Sequence, residues 1–140
     1  MKSATAAAHW LVKSEPETYA WDDLVHDKRT DWTGVRNYAA RIHLNTMRPG
    51  DRVLFYHSGE SRSIVGLAEV TRAAFPDTTA DEPGWVAVEI KAVGPLAHPV
   101  TLAQVKAEPK LAAMALLRLS RLSVQPVAAA EFAKIVAMGK

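Results

Sequence analysis

Four short polar stretches hold the residue types that recognition chemistry would need. Lys13-Ser14-Glu15 closes an apolar run, and Trp32-Thr33-Gly34-Val35-Arg36-Asn37 joins a glycine turn to a helical pattern. Tyr56-His57-Ser58 leaves a second apolar run, and Arg118, Ser120, Arg121 and Ser123 punctuate the late part of the chain. Recognising a planar base takes an apolar or aromatic wall plus a few donors and acceptors fixed on rigid backbone. Trp32, Tyr56, Asn37 and the serines supply that inventory, and the lysine and arginines suit phosphate. Each also has a plain structural use. Trp32 serves equally as core, Asn37 as a helix cap, Glu15 as a turn residue before Pro16, and Arg118 and Arg121 as partners in surface ion pairs.

Other chemistries lack their residues. With no cysteine among 140 residues, disulfides, thiolate metal sites and cysteine nucleophiles are excluded. No phosphate-binding P-loop, dinucleotide fingerprint, nucleophile elbow or H-E-x-x-H pair occurs. His9, His26, His43, His57 and His98 are scattered without metal-ligand spacing, so no metal or cofactor is expected. Seventeen Lys and Arg against fifteen Asp and Glu leave a net charge of +2, which permits a polyanionic partner without arguing for one. A 49% hydrophobic composition supports one packed domain, and no apolar run approaches a membrane span. Residues 1–8 read as a frayed leader with no targeting core, and the expected location is cytoplasmic.

The elements that must position these residues follow from pattern. His9 to Lys13 predicts a strand closed by Pro16, then a helix capped by Thr18 with Trp21, Leu24 and Val25 on one face. Asn37 predicts an N-cap for a helix over 38–47, with Tyr38 and Ile42 at helical spacing. Arg48-Pro49-Gly50-Asp51 is a turn, and Arg52 to His57, apolar on both parities, predicts a central strand buried on both faces. A polar hairpin at 58–62 leads to a strand over 63–71 with a bulge or bend at Gly66. A surface loop at 76–84 precedes an alternating strand at 85–93, ended by Gly94-Pro95. Thr101 caps a short helix over Leu102 and Val105, and Leu111, Met114, Ala115 and Leu119 keep helical spacing. A strand over 119–125 is stopped by Pro126, and a last helix through Phe132 and Ile135 ends at Gly139 as its C′ residue. The class is α+β: a twisted mixed β-barrel of about five or six strands with several short peripheral helices.

Five of these segments are recognisable as they stand: WLVKSEP (Trp10 to Pro16), WTGVRNYAAR (Trp32 to Arg41), MRPGDRVLFYHS (Met47 to Ser58), IVGLAEV (Ile64 to Val70) and RLSRLSVQP (Arg118 to Pro126). In this order they resemble the EVE domain family, with the likeness running over residues 9–139. The resemblance implies a PUA-like fold and a module that binds modified bases in DNA or RNA. It places Lys13 and Ser14 at a strand-end pocket and Val35, Arg36 and Asn37 in the family's G-V-R-N turn. The related YTH domains carry a cage tryptophan at that turn. Arg36 in its place favours a modified cytosine over methylated adenine. Edge reading is expected from Ser14, Asn37, Tyr56 and Ser58, and phosphate or pocket contacts from Lys13, Arg36, Arg118 and Arg121. Glu15, His57, Ser120 and Ser123 complete the expected ligand-binding set. Two other readings stand beside it: a small PUA-like hydrolase of the ASCH type using Lys13, Ser14 and Glu15, and a metabolite-binding regulatory protein.

Overall fold

A computed structural model describes residues 7–140, so 1–6 of the expected leader lie outside the described residues. Ala8 is tied to the body: its N–H donates to Asp51 Oδ1 (3.1 Å) and its carbonyl accepts from Arg52 N–H (3.0 Å).

Six strands form one sheet: β1 (His9–Ser14), β2 (Arg29–Asp31), β3 (Arg52–His57), β4 (Ser63–Pro76), β5 (Val86–Thr101) and β6 (Val124–Val127). Their order is β2-β5-β4-β3-β1-β6, with β1 and β3 parallel and every other pair antiparallel. The apolar run of β3 is central, as its two-faced pattern predicts, with Val53 to Tyr56 all buried. Strand alternation divides the core in two. Trp10, Val12, Val53 and Phe55 pack with Trp21, Trp32 and Leu44 in one cluster, while Leu11, Leu54 and Tyr56 join Val105, Met114 and Ile135 in the other. A bulge falls next to Gly66, where the β3 register shifts between Phe55 and Tyr56. A Cβ at Gly66 would lie 2.6 Å from the Trp21 ring, so glycine lets the indole lie on the sheet.

Among the described residues five short α-helices and one 3₁₀ turn (Pro109–Leu111) flank the sheet: α1 (Trp21–Asp27), α2 (Tyr38–Thr46), α3 (Leu102–Ala107), α4 (Ala115–Arg118) and α5 (Ala129–Met138). Asn37 and Thr101 cap as expected, accepting from Ala40 N–H (2.9 Å) and Gln104 N–H (3.1 Å). Several other expectations change. Helix α1 is capped at Ala20 rather than Thr18, with Asp23 closing back on the Ala20 N–H (2.8 Å), and Val25 is exposed. Helix α2 buries Ala40 and Leu44 and leaves Tyr38 and Ile42 in solvent, because the stripe beside them carries the side chains that fit against the core. Strand β5 runs through Gly94-Pro95 to Thr101. Strand β2 pairs only with Glu89 to Lys91, so the far side of β5 at Pro95 has no paired strand to deprive of a donor. Pro126 lies within β6 rather than after it, since β6 ends the sheet and needs no outward N–H. Residues 119–123 form a turn at Ser120-Arg121 and a bend at Ser123 rather than strand. Gly139 terminates α5 at φ −89°, outside the left-handed region.

Candidate ligand-binding cleft

A cleft of about 650 Å³ opens where β1 ends and the chain leaves β2. Lys13, Ser14, Glu15, Trp32, Val35, Arg36 and Ser123 line it, together with Thr18, Tyr19, Thr30, Asp31, Thr33 and Gly34.

Trp32 is at once core and wall. Its backbone N–H donates to Val88 O (2.7 Å), extending the β2–β5 ladder by one bond beyond the strand. Its ring meets Phe55 edge-on at 5.6 Å and Tyr19 edge-on at 6.2 Å, leaving 9% of the residue exposed. That packing gives the wall one orientation, which a stacked ligand would otherwise have to impose. Ser14 Oγ donates to Tyr19 O (2.6 Å), and Tyr19 Oη donates to Asp27 Oδ2 (2.8 Å), so the turn after β1 is stitched to α1. Burial pushes the Tyr19 phenol up and the Lys13 ammonium down from their ordinary values. Lys13 Nζ donates to Ser120 O (2.6 Å), and the Lys13 N–H pairs with Ser123 O (3.0 Å), bringing the late bends to the cleft edge.

The Gly34–Arg36 turn of the cleft is held by Asp77, which the polar composition of 76–84 hid among surface residues. Its side chain is fully buried. Oδ2 accepts from Gly34 N–H (2.8 Å) and Arg36 Nη1 (2.9 Å), while Oδ1 accepts from the Thr79 N–H (2.8 Å) and hydroxyl. Burial by itself would raise this carboxyl. The Thr79 hydroxyl, Gly34 N–H, Arg36 guanidinium and Thr79 N–H together hold it well below the usual carboxylate range. Arg36 also donates to Val35 O (3.0 Å) and Thr79 Oγ1 (3.2 Å). Gly34 sits at φ +85°, a backbone that favours glycine, so the turn presents its amide inward to Asp77. The local signal for this anchor is Asp77-x-Thr79, an Asx-turn spacing. Nothing local points to Gly34, more than forty positions away.

The other expected residues lie around the cleft rather than in it. Asn37, Ser120 and Arg121 line an adjacent groove of about 370 Å³, and the Asn37 oxygen is occupied by its cap. Tyr56, Ser58 and Ser120 share a smaller hollow of about 290 Å³ with Lys13 and Arg62. Lys13 therefore borders two depressions. His57 Nε2 accepts from the Trp21 N–H (3.0 Å), an arrangement open only to the neutral ring, and burial lowers its pKa. Arg118 lines a separate groove with Pro126 and Glu131. Tyr19, Thr30 and Asp31 are not distinguished by the sequence, and Thr18 and Thr33 read only as cap and turn, because residues of these types carry no pattern that separates lining from solvent exposure. Among the described residues no group of three acidic or histidine side chains is placed to hold a metal, and no helix is long and apolar enough to cross a membrane.

A mixed six-stranded sheet flanked by short helices, with an aromatic-walled cleft at its strand ends, defines a PUA-like α+β domain. Comparison with known proteins narrows the class. The EVE domain profile matches residues 8–138, and the chain belongs to the EVE domain family. Human thymocyte nuclear protein 1 is 32% identical over 160 residues, covering 90% of this chain and 71% of that protein. A Rhodopseudomonas palustris protein of known solution structure is 53% identical and superposes with a TM-score of 0.90, over 95% of this chain and 93% of that one. The crystal structure of the human protein in complex with DNA containing 5-methylcytosine is 30% identical with a TM-score of 0.90, over 96% of this chain and 98% of that one.

Proposed function

We propose that this protein is a non-catalytic reader of a modified base, with 5-methylcytosine in DNA the favoured ligand. The observation that carries the reading is the cleft itself. One aromatic wall, Trp32, stands among hydroxyls, carboxylates and turn amides in an open cleft of about 650 Å³, which leaves room for an extruded base together with its sugar and phosphate. The human relative crystallised with 5-methylcytosine DNA supports the same ligand class here. Lys13, Ser14, Glu15, Val35, Arg36 and Ser123 are the residues assigned to the pocket. Asn37, Tyr56, His57, Ser58, Arg118, Ser120 and Arg121 support or border it. The Arg36–Asp77 pair makes Arg36 a shaping residue for the wall as well as a donor. RNA carrying the same modification and a cytoplasmic setting belong to the same reading.

Catalysis has less support. Lys13 Nζ is bonded to Ser120 O and Ser14 Oγ to Tyr19 O, so the base and hydroxyl of a hydrolase are each engaged with backbone carbonyls rather than with one another. The deciding experiment is a titration of otherwise identical oligonucleotides carrying 5-methylcytosine or cytosine, in DNA and in RNA. Tighter binding of the methylated strand is expected, and equal affinity for both would overturn the reading. Product release from modified nucleosides that Lys13→Ala abolishes would establish an enzyme instead.

A further inference from the structure

Outside the cleft, the first turn of α2 carries a large side chain that the fold does not use. Tyr38 is 69% exposed, whereas α2 docks through Ala40 and Leu44. The Tyr38 ring is nevertheless ordered by its neighbours. It stacks on Trp85 at 5.2 Å with the planes 29° apart, and the Arg41 guanidinium carbon lies 4.9 Å from the Tyr38 centroid and 4.8 Å from that of Trp85. Arg41 is fixed in turn by donating to Gly84 O (3.1 Å). It makes no ion pair among the described residues, although Asp81 and Glu82 lie in the same loop. Pinning the loop needs only the Arg41 bond. The exposed part of the tyrosine ring, and a guanidinium with no carboxylate partner among the described residues, are left available to a ligand. This cluster is continuous with the cleft, because Arg36, which lines the cleft, also lies 5.8 Å from the Trp85 ring.

We infer that Tyr38, Trp85 and Arg41 form a second nucleotide subsite, on which the base next to the one read in the cleft stacks against Tyr38 while its phosphate faces Arg41. The inference rests on the base-reading function proposed above and adds to it an unpaired neighbouring nucleotide as part of the ligand. An ordered aromatic ring with one open face suits any base, because every base has a π-face, and a nearby guanidinium suits the anionic backbone. A platform of this kind contributes affinity without sequence preference, while the cleft supplies the discrimination.

The test is a cycle between protein and ligand, using single-stranded oligonucleotides with a central 5-methylcytosine and an abasic site on its 5′ or 3′ side. Tyr38→Ala is expected to weaken binding of the intact strand about tenfold. Removing the stacked neighbour should weaken the wild-type protein by a similar factor, and the variant no further, to within about twofold. Tyr38→Phe should bind like wild type, since the ring and not the hydroxyl is used. Unchanged affinity in Tyr38→Ala, or losses that multiply for both flanks, would overturn the subsite. Multiplying losses are what a merely structural tyrosine would produce. Failure of the base reading shows separately, as equal binding of central 5-methylcytosine and cytosine by the wild type. Absence of binding to any oligonucleotide would overturn both.

Discussion

Replacing Asp77 by asparagine tests the wall of the cleft at its most loaded atom pair. The carboxylate accepts on both oxygens: Thr79 N–H and hydroxyl on Oδ1, Gly34 N–H and Arg36 Nη1 on Oδ2. An amide of the same shape accepts on one side only, so its NH₂ must confront either the Gly34 and Arg36 donors or the Thr79 N–H, beside which the Thr79 hydroxyl can rotate to accept. Leaving a part-buried N–H opposed to the amide costs about 1–3 kcal/mol, and losing the charge-assisted bond to Arg36 adds about 1 kcal/mol more. The upper figure for breaking a buried ion pair does not apply, because the Arg36 side chain is 38% exposed and can turn to water. The expected loss is therefore about 2–4 kcal/mol, or a fall of roughly 10 °C in Tm for a chain of this size.

The pH dependence sharpens the test. A carboxyl held below its unfolded value binds fewer protons folded than unfolded, so its stabilisation is complete above about pH 4 and drains away as the pH falls further. Denaturant unfolding of wild type and Asp77→Asn across that range should show the gap between them at full size at neutral pH and narrowing in acid. Binding of the methylated oligonucleotide should weaken in parallel, since Gly34 and Arg36 lose their common anchor. A stability difference under about 0.5 kcal/mol at neutral pH, the size of an ordinary surface substitution, would refute the reasoning. So would a gap that stays constant in acid.

Two further outcomes are expected elsewhere. Gly66→Ala drives a Cβ to 2.6 Å from the Trp21 ring and should cost about 1–3 kcal/mol in chemical denaturation, with the near-ultraviolet tryptophan signal displaced. His57, neutral while it accepts from Trp21 N–H, should titrate by NMR below the ordinary value of about 6.5, and its burial makes stability decline as the pH falls through that value. A His57 that protonates at or above the ordinary value would show that the bond to α1 does not persist in solution.

Patterns short enough to be local were legible in the chain. The two-faced apolar run of β3, the caps at Asn37 and Thr101 and the bend at Gly66 each depend on residues within a few positions. The EVE likeness added the PUA-like class, which the six-stranded sheet carries. Choices between equally good local patterns were not legible. Helix α2 offers two stripes, Tyr38 with Ile42 and Ala40 with Leu44, and helical spacing favours neither. Prolines 95 and 126 read as strand breakers, yet whether a missing N–H matters depends on whether a partner strand lies on that side.

The same division runs through the cleft. Composition and motif by themselves determined a cysteine-free, nearly neutral chain whose Lys13-Ser14-Glu15 and Trp32 to Asn37 segments carry polar and aromatic groups of the types that base recognition uses. Tertiary structure decided how those segments meet. Trp32 is oriented by Phe55 and Tyr19, Lys13 is drawn to Ser120, and Arg36 is bound to an aspartate from a loop that reads as plain solvent-facing turn. The physical reason is that a buried carboxylate collects its donors through space. Gly34 N–H and Arg36 satisfy Asp77 because the sheet brings their turns together, and no periodicity along the chain encodes that meeting.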